Sequence, residues 1–91
     1  MSELADGQDL GAEYLELGRF YLLYSKFEEA IVQLKKAAEL KSDDPLVYYD
    51  LGISYEGLNM NDEAKQNFRK ALELDPNLKE AEEHLDKLIG V

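Results

Sequence analysis

The segment Tyr14–Tyr21 reads Y-L-E-L-G-R-F-Y, and Tyr48–Tyr55 repeats its frame as Y-Y-D-L-G-I-S-Y. The two copies lie 34 residues apart, and residues 11–44 align with residues 45–78 without a gap. Ten aligned positions are identical: Tyr14/Tyr48, Leu17/Leu51, Gly18/Gly52, Tyr21/Tyr55, Glu29/Glu63, Ala30/Ala64, Lys36/Lys70, Ala37/Ala71, Glu39/Glu73 and Leu40/Leu74. A fixed period of this length marks an array of like units, each of which buries its apolar face only by stacking on the next.

Inside each unit the apolar residues follow a helical period. Tyr14, Leu17, Gly18 and Tyr21 fall at i, i+3, i+4 and i+7, and Ala30, Leu34, Ala37 and Ala38 form a second stripe. Each unit is therefore a pair of helices. The spacing predicts helices at about 10–24, 27–40, 45–58 and 61–74, then a last one at about 77–89, with no strands. Asp43 and Asp44 before Pro45 offer a cap and a first-turn proline; Asn61 with Asp62 and Glu63 opens the fourth helix; Asn77 with Glu80 forms a capping-box pattern. Asn59 suits a left-handed turn position between paired helices, and its counterpart Ser25 suits it less well. Glycine inside a helix costs about 0.5–1 kcal/mol relative to alanine, so Gly18 and Gly52 imply close approach of a neighbour, for which Ala30 and Ala64 are the small partners expected.

Composition narrows the function. Across 91 residues, 45% are hydrophobic and 33% charged, enough apolar material for one small folded domain. Twenty acids against ten bases give a net charge of −10, which repels phosphate backbones and anionic lipids, so neither nucleic acid nor membrane is an expected partner. Without cysteine the chain has no disulfides, thiolate metal sites or cysteine nucleophiles. The N-terminal residues MSELADGQDL lack a signal-peptide pattern, and a cytoplasmic location is the expectation. His84, the one histidine, stands one turn from Glu80 among Glu82, Glu83 and Asp86; a solvated acidic helix face explains it better than metal binding. No glycine-rich phosphate loop or nucleophile pattern is present, and no cofactor or enzymatic role is expected.

The Y-x-x-L-G-x-x-Y segments, Ala30-x-x-x-Leu34, Ala64-x-x-x-Phe68, Ala37, Ala71 and Pro76 together resemble the tetratricopeptide repeat, with tyrosine in place of the usual leading tryptophan. Ser42 stands where the first repeat would have its closing proline. The resemblance implies an all-α fold, a short α-solenoid of antiparallel helix pairs. Its parts are a polar segment at 1–10, repeats at 11–44 and 45–78, and a capping helix at 79–91 that starts near 77. It also implies a protein-interaction module whose concave groove is lined by the first helix of each pair. Family positions place Leu15, Glu16, Arg19, Leu22, Tyr49, Asp50, Ile53, Glu56, Glu80, Glu83, His84 and Lys87 along that groove.

The first helices of the pairs and the capping helix carry eight acids (Glu13, Glu16, Asp50, Glu56, Glu80, Glu82, Glu83, Asp86) against Arg19, Lys79 and Lys87, a net of −5, whereas the second helices are nearly neutral. Family members that bind chaperone tails use a basic clamp at positions that here hold Leu15, Arg19, Asp50, Glu80 and His84. The expected ligand is instead a segment with apolar anchors flanked by lysine or arginine, and acidic tails are expected not to bind. Self-assembly through the exposed end faces is the alternative. Phe20 stands where the family keeps a small residue and repeat two has Ser54, so cover by Leu4 or Leu10, or a weak homodimer contact, is expected there.

Overall fold

The computed structural model describes residues 9–91. These form α1 (Leu10–Leu23), α2 (Phe27–Leu40), α3 (Pro45–Gly57), α4 (Asn61–Leu74) and α5 (Lys79–Ile89), with no strand among the described residues. Adjacent helices pack in the order α1 on α2, α2 on α3, α3 on α4 and α4 on α5, while α1 touches α3 only lightly. Such nearest-neighbour packing, over extents of 51 × 27 × 17 Å, is that of a short solenoid. Among the described residues no helix is long and apolar enough to cross a membrane.

Local chemistry fixes the helix ends. Asp9 caps α1 by accepting the Ala12 N–H at 3.0 Å, and its other carboxylate oxygen accepts from Lys41 Nζ at 3.1 Å. Asp44 caps α3 by accepting the Leu46 N–H at 2.9 Å, with Pro45 in the first turn. The other two expected caps do not form. Met60 precedes α4 without a side-chain cap, and Asn61 is already the first helical residue. Asp75 Oδ1 accepts the Asn77 N–H at 3.0 Å, which turns the chain locally, so α5 starts at Lys79 behind Leu78 instead of near 77.

The two turns inside the pairs are alike. Ser25 (φ 56°) and Asn59 (φ 60°) are both left-handed. Lys26 N–H bonds to Tyr21 O at 2.9 Å and Ser25 N–H to Leu22 O at 3.0 Å; Met60 and Asn59 repeat this on Tyr55 and Glu56, each at 2.9 Å. Each turn is a Schellman closure, and serine adopts it because the hydrogen bonds, not side-chain preference, dictate the backbone.

Leu15, Ala30, Leu34, Ala37, Val47, Leu51, Tyr55, Ala64, Phe68, Ala71 and Ala81 form one buried core. A Cβ on Gly18 would lie 2.6 Å from Leu34 Cγ, and one on Gly52 would lie 2.6 Å from Phe68 Cε1. The close approach is real, but its main partner differs from the alanine expected. Each glycine makes room for the large side chain one turn beyond Ala30 or Ala64. That seats Leu34 and Phe68 with no exposed surface.

Candidate functional site

Two side-chain bridges tie the first helices of successive pairs together. Arg19 Nε donates to Asp50 Oδ2 at 2.7 Å between α1 and α3, and His84 Nδ1 lies 2.9 Å from Glu56 Oε1 between α5 and α3. Asp50 is 5% exposed. Burial pushes its carboxyl above the ordinary range, and the Arg19 hydrogen bond and charge offset that only in part. Because the Arg19 side chain is 45% exposed, water weakens the hold of its charge on the acid.

The second bridge ends in an aromatic cluster. The His84 imidazole stacks on Phe68 with centroids 5.2 Å apart and planes inclined by 18°, and Tyr49 meets both rings at 5.9 Å. Burial raises the Tyr49 phenol pKa, and Asp50, Glu80, Glu56 and Glu83 raise it further. Four acids from two helices thus converge on one half-buried tyrosine.

The residues assigned to the groove divide by exposure. Glu16, Arg19, Glu80, Glu83 and Lys87 are exposed, and Leu22, Tyr49, Ile53, Glu56 and His84 are partly so. Leu15 and Asp50 are buried, and their assignment to a ligand-contacting surface is corrected accordingly. Leu15 belongs to the core, and Asp50 can act on a ligand only through Arg19. His84 is engaged by Glu56, and among the described residues no three His, Asp or Glu side chains gather as metal ligands.

An open cavity of about 500 Å³ lies at the α1 end, lined by Glu16, Arg19, Phe20, Leu22 and Leu23. Leu23 carries no motif signal, and Phe20 stands out in the sequence only as a misfit at a repeat junction. Leu10, offered there as its cover, is itself 51% exposed and begins the helix almost three turns before Phe20. Leu4 lies outside the described residues. The bridges, too, escape the motif, but the 34-residue register holds their signal. Glu16, Asp50 and His84 are equivalent positions, so a polar residue that reaches a neighbouring helix twice leaves its third copy, Glu16, at the open end.

A sequence model described as "TPR repeat" matches residues 11–59, and one described as "Tetratricopeptide repeat" matches residues 45–78. The chain belongs to the tetratricopeptide repeat family, as two full repeats and a capping helix. It is 35% identical over 68 residues to heat shock protein STI1 of Saccharomyces cerevisiae, covering 75% of this chain and 12% of that protein. It is 30% identical over 80 residues to an Hsp70-Hsp90 organising protein of Plasmodium falciparum, covering 88% of this chain and 29% of the relative. The chain thus spans less than a third of either relative. Among solved structures, a chain titled "MamA D159K mutant 2" superposes with a TM-score of 0.80 at 30% identity, covering 93% of this chain and 47% of that one.

Proposed function

We propose that the chain is a non-catalytic interaction module that binds a protein segment carrying apolar and basic residues along the side formed by α1, α3 and α5. The exposed acids Glu16, Glu80 and Glu83 beside half-buried Tyr49 and Ile53 carry this reading, because a basic side chain is the counterpart such charges attract. Tyr49 and Ile53 supply apolar contact, with Leu22 at one edge and exposed Glu16, Glu83 and Lys87 as rim charges. The relatives whose names refer to Hsp70, Hsp90 or heat shock support an interaction role. This chain's own residues argue against the acidic ligands of a carboxylate clamp. Of the positions such a clamp would use, Arg19 is bonded to Asp50, His84 to Glu56, Leu15 is buried and Glu80 is an acid. A cytoplasmic partner fits this reading, and neither nucleic acid nor membrane does.

The test is chemical-shift mapping of the labelled protein with a leucine–lysine peptide. Shifts that gather on Tyr49, Ile53, Glu56 and Glu83, and weaken in Tyr49→Ala, support the reading. Shifts confined to α2 and α4 contradict it.

A further inference from the structure

The two repeats bury one helix face very differently. On α3, Val47 and Ser54 are 0% exposed and Leu51 is 4% exposed. Their equivalents 34 residues earlier on α1 are Glu13, Leu17 and Phe20, all exposed, with Leu17 at 40% and Phe20 at 51%. Each helix belongs to the same kind of pair, so the difference is what a preceding pair supplies: α1 and α2 cover this face of α3, and among the described residues nothing covers the equivalent face of α1. Leu10, Glu13, Leu17, Phe20 and Tyr24 recur at i, i+3, i+7, i+10 and i+14, a single stripe along the helix. Phe20 packs against the Tyr24 ring with centroids 5.1 Å apart, and the 500 Å³ cavity opens beside it. The charges on and beside this stripe are Glu13 and Glu16; Arg19 at its edge is already bonded to Asp50.

The occupant is set by charge and by the internal junction. Residues 1–8, MSELADGQ, bring two acids and no lysine or arginine. A second copy cannot offer the surface that α2 offers to α3, because α5 already packs on the equivalent helix, α4. Joining two α1 stripes would bring two copies of Glu13 and Glu16 together, and exposed Glu80, Glu82 and Glu83 make α5 no better a partner. At the occupied junction, the acid equivalent to Glu16 is Asp50, and it is met by a base, Arg19, from the covering pair. We propose that this α1 face docks a cationic amphipathic helix of another protein. The apolar side of that helix packs on Leu17, Phe20 and Tyr24, and its lysine or arginine residues pair with Glu13 and Glu16. Because Phe20 replaces the small Ser54, the docked helix leaves a hollow opposite that ring.

This face shares Glu16 with the rim of the Tyr49 region and otherwise uses different residues, and shifts followed residue by residue keep the two apart. A fluorescent 18-residue leucine–lysine amphipathic peptide, with a leucine–glutamate version as control, is titrated by anisotropy and by chemical-shift mapping. The expected result is shifts along Leu10–Tyr24 and binding that weakens as salt rises. Phe20→Ser and Glu13→Lys should each raise the dissociation constant fitted to the α1 shifts about tenfold or more, whereas Tyr49→Ala should remove the shifts on Ile53 and Glu56 and leave those on α1 in place. Phe20 is half exposed and serine is the repeat-two residue, so that variant should melt like the wild type. Absence of shifts on α1, equal binding of the glutamate peptide, indifference to both substitutions, or sedimentation showing a dimer that masks α1 would each overturn the proposal.

Discussion

Arg19 on α1 and Asp50 on α3 form a 2.7 Å hydrogen-bonded ion pair in which the acid is buried and the base half exposed. The asymmetry fixes what each substitution does. Arg19→Met strands a buried carboxylate and should cost about 1–3 kcal/mol at neutral pH, by the usual cost of an unsatisfied buried polar group. Asp50→Asn leaves a guanidinium that water can solvate, and should cost far less. Since the folded-state pKa of Asp50 is raised, the native state holds its proton more tightly than the unfolded chain does. The contribution of this group to stability is therefore largest below its unfolded value near 3.8 and declines as pH rises through the folded value. Urea melts between pH 3.5 and 7 should show that decline in the wild type, a flatter profile in Asp50→Asn, and an Arg19→Met penalty that shrinks on acidification. A penalty of equal size at both ends would contradict the assignment.

Gly52 and Gly18 should respond differently to alanine. At Gly52 the new Cβ meets the Phe68 ring, which is held by Tyr49 and by the stacked His84; at Gly18 it meets Leu34, a smaller aliphatic side chain that is equally buried but has no ring stacked on it. Gly52→Ala should lose about 1–3 kcal/mol to overpacking, and Gly52→Leu at least as much, outweighing the helix-propensity gain of about 1 kcal/mol. Gly18→Ala should lie closer to neutral. Thermal melts of the three variants decide it, and a Gly52→Leu melt within a degree or two of wild type would refute the close-approach argument.

Ser25 holds a left-handed backbone at φ 56° without being glycine or asparagine. Ser25→Gly removes the Cβ penalty while keeping the two closing hydrogen bonds, and should stabilise by about 0.5–1 kcal/mol. The same change at Asn59 should gain less, because asparagine already tolerates that region. A destabilised Ser25→Gly would mean that the unfolded-state entropy of glycine outweighs the relief.

The architecture was readable because the 34-residue period, the paired stripes and Pro45 all describe contacts made locally or between adjacent units. All five helices were anticipated, and the errors fall at their ends, where Asp75 accepts the N–H that would have placed Asn77 at a cap. The candidate surface was less legible. Family position put Leu15 and Asp50 on the ligand side, but burial depends on where α3 presses against the first pair, which no single-helix pattern reports. The Phe68–His84 stack was hidden for the same reason, since its rings stand 16 residues apart in sequence on consecutive helices and meet only after α5 folds onto α4.

The central claim is that the α1, α3 and α5 side selects basic over acidic ligands. Calorimetric titration in a Phe20→Ser background, which disables the α1 face, at low and moderate salt, with a leucine–lysine peptide and an acidic peptide ending in a free carboxylate, tests it most directly. The account predicts that only the basic peptide binds, that its affinity falls as salt rises, and that Tyr49→Ala weakens it. Tighter binding of the acidic peptide, or basic-peptide binding indifferent to both salt and Tyr49→Ala, would contradict it.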